Sequence, residues 1–184
     1  MAVFFTSDTH FGDHRVLWMY GRPFATVAAM DAAMVENWNA VVGEADEVWH
    51  LGDVAVRHSA ERTSELLRRL NGRKHLIIGN NDPATTLQAP EWASVQHYRE
   101  ITVDGVPLVL CHYAFRSWNG MYRGRLNLHG HSHGRLAPMK GQYDAGVDVF
   151  AFAPVTVAHI IQSRPPKRGR KPQPELLESG RPES

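Results

Sequence analysis

The sequence predicts an α/β protein whose strands fall into two sheets, on three observations. Short apolar runs recur along the 184 residues, and five of them end in a polar stop beside a glycine or at a strand exit. Two stretches of helical period separate the first three of these runs. Beyond Val95 the pattern changes to strands and a hairpin, the shift that a second sheet facing the first would need.

The elements follow in order. Residues 2–7, begun by Ala2-Val3-Phe4-Phe5, read as a buried strand. From Val27 to Val42, residues Val27, Met30, Met34, Trp38 and Val41 recur at helical spacing, with Thr26 as cap, so this stretch reads as a helix packed on the sheet. A strand at 46–50 follows. Ser59 caps a second helix that runs to Leu70, with Leu66, Leu67 and Leu70 facing inward. A strand at 74–78 leads to Gly79. Ile101 to Val106 reads as a hairpin turning at Asp104-Gly105, and the apolar run from Val106 to Cys111 ends at His112. Leu126-Asn127-Leu128 leads to His129. Asp144 to Val149 reads as a short strand region, and Pro154 to Ile161 closes the domain as either helix or strand.

Composition narrows the class. Hydrophobic residues make up 43% and charged residues 21%, the ordinary balance of a globular domain with a core. No apolar run approaches the roughly 20 residues of a membrane span. The chain opens directly on strand-like sequence without a signal-type segment. Its single cysteine, Cys111, lies in an apolar run and permits no internal disulfide. The expectation is a cytoplasmic protein with no membrane partner. Net charge is +1 but uneven: six Lys and Arg against three Glu give residues 163–184 a charge of +3 and leave −2 on the rest. The body therefore has no general bias toward nucleic acid.

The polar stops carry the chemistry. They read S-D-T-H, L-G-D-V, G-N-N-D, C-H-Y and G-H-S-H, and supply Asp8 and His10, Asp53, Asn80, His112, and His131 with His133. Taken singly, each has an ordinary reading. An Asp after a strand is a turn residue or helix cap, a lone His is a packed or solvated imidazole, and Asn-Asn is turn chemistry. Their joint occurrence at five strand exits is what points to metal. All seven offer oxygen or imidazole nitrogen and none offers sulfur, a set suited to two hard-to-borderline divalent cations. Sites in layered α/β proteins gather at the carboxyl ends of strands. In extended backbone Asp8 and His10 would point to one side and could meet one metal. Gly52, Gly79, Gly130 and Gly134 would permit sharp turns. Two carboxylates and a neutral amide cannot offset two divalent cations, so the site would stay positive and attract an anion.

In this order, D-x-H, G-D, G-N-x-D, H and G-H-x-H resemble the calcineurin-like metallophosphoesterases, from Val3 to about Ile161. The local wording, including F-F-T-S-D-T-H-F-G, H-Y-A-F-R-S-W-N-G and L-H-G-H-S-H-G, resembles a small bacterial and phage branch. The resemblance implies an α-β-β-α layering of two facing mixed sheets flanked by helices. It implies that Asp8, His10 and His133 bind one metal, that Asn80, His112 and His131 bind a second, and that Asp53 bridges both. The metals would be Mn²⁺, with Fe, Zn²⁺, Ni²⁺ or Co²⁺ also compatible, and a hydroxide between them would attack phosphorus in line with the leaving oxygen. Many members carry His where Asn81 stands. Asn81 can donate a hydrogen bond to substrate but supplies no proton, so the expected substrate is a phosphodiester, and His14 is the candidate substitute acid. Open alternatives are a phosphomonoesterase acting on nucleotides or phosphoproteins, a site holding one zinc, and a nucleic-acid-binding module with a structural metal site.

Arg116, just past His112, is a candidate to hold phosphate oxygens with a two-pronged hydrogen bond. Arg22, Arg123 and Arg125 are further pocket candidates, and Trp118 reads as packing under its loop. The expected domain spans 1–162. Residues 163–184, rich in Pro, Gly, Arg and Glu, are expected to be disordered. Within them the 164–172 segment carries an R-G-R core of the kind that enters A·T minor grooves, a candidate DNA contact.

Overall fold

The computed structural model describes residues 1–163. The expectations made for 164–184, including DNA contact through 164–172, lie outside the described residues. The first sheet has the order β4-β3-β2-β1-β9. Strands β1 (Val3–Thr6), β2 (Glu47–His50), β3 (Arg73–Ile77) and β4 (Trp92–Gln96) run parallel, and β9 (Val155–Thr156) is antiparallel to β1. The second sheet has the order β5-β6-β7-β8, from β5 (Tyr98–Val103), β6 (Val106–Cys111), β7 (Leu126–His129) and β8 (Gln142–Asp144). Here β5 and β6 are antiparallel, and the other pairs are parallel. Both sheets are therefore mixed, and helices flank them, as the family resemblance implies.

Side-chain alternation along the parallel strands creates two cores. Phe4, Val48 and Leu76 face helices α2 (Val27–Val41) and α3 (Ala60–Arg69), where Met30, Met34, Trp38, Leu66 and Leu67 are buried. Their neighbours Phe5, Trp49 and Ile77 face the second sheet and meet Leu108, Leu110 and Leu128. Each such apolar side chain contributes roughly 1.5–3 kcal/mol on burial, so a strand with one residue per core is held from both sides. Thr26 and Ser59 cap their helices, accepting hydrogen bonds from Ala29 N and Arg62 N.

Three local expectations are refined. The inward residue at the end of α2 is Val42 rather than Val41, which is 44% exposed, because the chain leaves the helix there in extended conformation. Within 144–149 the strand β8 ends at Asp144, whose carboxylate accepts from Gly146 N, and Gly146 then pairs with Ser7 in an isolated bridge. The closing segment is both strand and helix, β9 followed by α4 (Val157–Gln162), with Thr156 as cap. The hairpin turns at Asp104 and Gly105, both at positive φ as a type I′ turn requires. Cys111 is buried and free, and no described helix is long and apolar enough to cross a membrane.

Candidate metal centre

Each candidate ligand follows a strand end. Asp8 and His10 leave β1, Asp53 leaves β2, Asn80 leaves β3, His112 directly follows β6, and His131 with His133 leave β7. The structure brings them together in two clusters. Ligand atoms of Asp8, His10 and His133 lie within 4.8 Å of one another, and so do those of Asp53, His112 and His131. The amide oxygen of Asn80 joins the second cluster, 3.0 Å from His112 Nε2. Asp53 lies between the two: its Oδ2 is 3.5 Å from His10 Nε2 and 3.6 Å from His112 Nε2.

The backbone reaches this arrangement by a route unlike the extended one expected for Asp8 and His10. Asp8, His10, Asp53, His131 and His133 all have φ between +48° and +66°. Non-glycine residues avoid this region, and holding one there costs on the order of 1–3 kcal/mol. Neighbouring loops supply the restraint. Asp8 N donates to Gly52 O, and His10 N donates to Asp53 O. His131 N donates to the Asp8 carboxylate, at 3.1 and 3.0 Å. Of the four glycines, Gly52 and Gly134 supply positive φ, while Gly79 and Gly130 leave space. A Cβ on Gly130 would lie 1.8 Å from Ser7 Oγ, and one on Gly79 would lie 2.3 Å from Asp53 Oδ1.

A surrounding set of carboxylates fixes the loops. Asp82 accepts three backbone N–H bonds, from Asp53 at 2.9 Å and from Val54 and Gly79 at 2.8 Å each. Asp144 accepts from Ser132 Oγ and Gly134 N, tying down the G-H-S-H-G loop. Asp148 accepts from His133 Nδ1 at 2.7 Å and pairs two-pronged with Arg22. Burial would raise the carboxyl pKa of Asp148, but the His133 and Arg22 hydrogen bonds outweigh it and hold that pKa below its usual value. Arg22 is the correction here. It lines no substrate pocket; its guanidinium is buried and donates to the carbonyls of Thr9 and Asp8. Asp82 stood within the G-N-x-D stop, so a signal for it existed. Asp148 lies 126 residues from Arg22, and no local pattern marks that pair.

The donor chemistry fits metal cations. His112 Nδ1 lies 2.7 Å from the Leu51 carbonyl. A carbonyl only accepts, so Nδ1 carries a proton, and Nε2 is turned toward the Asn80 oxygen. An imidazole nitrogen beside an amide oxygen is a pairing of donor types that suits a borderline divalent cation. His133 likewise donates through Nδ1 and turns Nε2 toward Asp8 Oδ1, 3.8 Å away. His10 is buried with neither ring nitrogen hydrogen-bonded. Burial, and secondarily the His133 and Arg22 charges, lowers its pKa to about 4, against the pull of Asp53, so it is a neutral donor at pH 7. Burial, then Asp144 and Asp53, holds the Asp8 carboxyl well above its ordinary pKa, a cost that a bound dication would reverse.

Residues 1–150 match the calcineurin-like phosphoesterase superfamily domain. The chain belongs to that superfamily. The uncharacterized protein MJ1445 of Methanocaldococcus jannaschii is 29% identical over 168 residues, covering 87% of this chain and 89% of that one. The gene 66 protein of Mycobacterium phage D29 is 30% identical over 161 residues, covering 73% and 79%. Among solved structures, the protein of unknown function AQ665 from Aquifex aeolicus superposes with a TM-score of 0.68 at 22% identity, covering 86% of this chain and 97% of that one; this likeness concerns the fold.

Asn81 turns toward Asp53: its Nδ2 donates to Oδ2 at 2.7 Å and its backbone N to Oδ1 at 2.8 Å. It thus steadies the carboxylate between the clusters. His14 is exposed at the start of α1 (Arg15–Met19), and its side chain makes no hydrogen bond or ion pair among the described residues. Arg116 is exposed. Trp118 packs within its loop, donating to Arg125 O, and Arg125 pairs with Glu100. Tyr113 stands with its ring edgewise to His112 and His131, and Tyr20 stacks on His133; neither tyrosine is marked by the sequence pattern.

Proposed function

We propose that this chain is a two-metal phosphoesterase that prefers phosphodiesters. The observation that carries the reading is Asp53 Oδ2, one carboxylate oxygen within 3.6 Å of an imidazole nitrogen from each cluster. Asp8, His10 and His133 would hold one divalent cation and Asn80, His112 and His131 the other, with Asp53 shared. Bound there, a pair of Mn²⁺ ions would supply an activated water and neutralise charge on the phosphoryl oxygens. The chain's own residues do the rest. Asp82 and Asn81 hold Asp53 in place, Asp148 fixes the His133 tautomer, and the net positive charge of the loaded site draws in the anionic ester. The preference for diesters is supported by position 81. An Asn engaged with Asp53 gives the leaving oxygen no proton, which favours substrates whose leaving group departs readily. His14 is the remaining candidate acid, and Arg116 the candidate for the phosphate oxygens.

The test compares an aryl phosphodiester with the matching monoester at saturating Mn²⁺. The proposal expects faster diester turnover. Faster monoester turnover would reject the substrate preference, and no metal-dependent turnover of either would reject the enzyme reading.

A further inference from the structure

Four planar groups form a column that begins inside the metal centre and ends outside it. The rings of His10 and His133 stack at 5.4 Å, and those of His133 and Tyr20 at 3.5 Å with planes 11° apart. The Arg135 guanidinium lies over Tyr20, 4.6 Å from its centroid. His133 and Arg135, two residues apart on one loop, therefore sandwich Tyr20 between them. Arg135 also donates to the carbonyl of Met19, so the loop grips the end of α1 at two points. Helix α1 needs that grip, because Val16 is its only buried residue.

We propose that Tyr20 is a positioning residue for the His133 cluster; the inference rests on the metal reading above. Asp148 fixes only one atom of the His133 ring. A ring tethered at Nδ1 can still swing about that hydrogen bond and carry Nε2 out of line with Asp8 and His10. Stacking against Tyr20 sets the plane of the ring, and with it the direction of the Nε2 lone pair. Outer contacts that orient a metal-binding imidazole alter metal affinity about 10–100-fold. Tyr20 acts through His133 alone, since the His112 cluster lies beyond this column. Its effect should therefore fall on one ion of the pair.

The experiment is Mn²⁺ titration of the full chain by calorimetry, with electron paramagnetic resonance to count bound ions, for wild type, Tyr20→Phe, Tyr20→Leu and Tyr20→Ala. The expected result is one ion weakened at least about 10-fold in the Ala and Leu variants. The second ion should be unchanged, and Phe should match wild type because the ring suffices. Wild-type affinity in Tyr20→Leu would reduce the role to space filling and overturn the proposal. So would equal weakening of both ions, which marks general loosening, or undiminished binding in Tyr20→Ala. A wild-type chain that takes up one ion would defeat the two-metal reading; the role of Tyr20 would then be decided by whether that ion weakens in Tyr20→Ala.

Discussion

Asp82→Ala should unfasten the centre without touching a metal ligand. Among the described residues, Asp82 is the side-chain acceptor for the backbone N–H groups of Asp53, Val54 and Gly79. Hydrogen bonds to a charged acceptor are worth roughly 1.5–3 kcal/mol each. The Asp82 side chain is only partly covered, so water replaces some of what is lost, and the three together come to about 3–6 kcal/mol. A protein of this size loses about 2–4 °C in melting temperature per kcal/mol, which predicts a fall of about 6–24 °C in the metal-free form. Asp53 is also left at φ +59° with less to hold it there, so Mn²⁺ should bind more weakly and turnover should fall further than stability does. Asp82→Asn should fall between wild type and Ala, because its one amide oxygen can still accept from Asp53 N and Gly79 N, which share Oδ2, while its NH2 would face Val54 N. Scanning calorimetry with and without Mn²⁺, beside turnover, reads all of this. An Asp82→Ala protein that melts within about 2 °C of wild type and keeps its activity would refute the clamp.

Asp148→Ala should weaken one Mn²⁺ about 10–100-fold by freeing the His133 ring, and should also destabilise the metal-free protein by about 3–5 kcal/mol because the buried Arg22 loses its carboxylate and keeps only the Thr9 and Asp8 carbonyls; unchanged metal titration contradicts the first part and an unchanged melt the second. His14→Ala should depress turnover of a diester with a poor leaving group and spare an activated aryl ester, and equal effects on both would remove His14 from proton transfer. The metal-free protein should lose stability on acidification. Burial lowers His50 from 6.5 to about 3, with neighbouring His112 and His10 adding to it against Asp53, and His10 falls to about 4. Between pH 6.5 and those values the unfolded chain binds protons that the folded chain refuses, so stability drops as pH falls through this window, by up to ~5 kcal/mol for His50 at about 1.4 kcal/mol per pH unit. Asp8 works the other way: its raised pKa lets the folded chain take up a proton first, which offsets part of the loss. A melting temperature flat from pH 7 to pH 4 would contradict neutral, buried imidazoles.

The sequence carried the strands and their exits because period and punctuation are local. Phe4 and Phe5 announce a strand with a core on each side, and Asp104-Gly105 announces its hairpin. The seven candidate ligands were legible for the same reason, since each is adjacent to its own strand end. What holds them is not local. The left-handed path at Asp8 and His10 depends on hydrogen bonds from the loop at 52–54, and nothing in S-D-T-H distinguishes it from an extended exit. Arg22 read as a pocket arginine because its partner, Asp148, is 126 residues away. Asn81 read as a substrate contact, and the fold turns it onto Asp53. Tyr20 ends a short helix with no periodic signal, and only the fold brings it onto His133.

The most direct test counts metal ions per chain, by elemental analysis after Mn²⁺ loading and desalting, in wild type and in Asp53→Ala. The account predicts two ions in the wild type, and in Asp53→Ala the loss of tight binding at both positions together with all turnover. One tightly bound ion with full activity in the wild type, or two ions retained by Asp53→Ala, would contradict a shared carboxylate at the heart of the site.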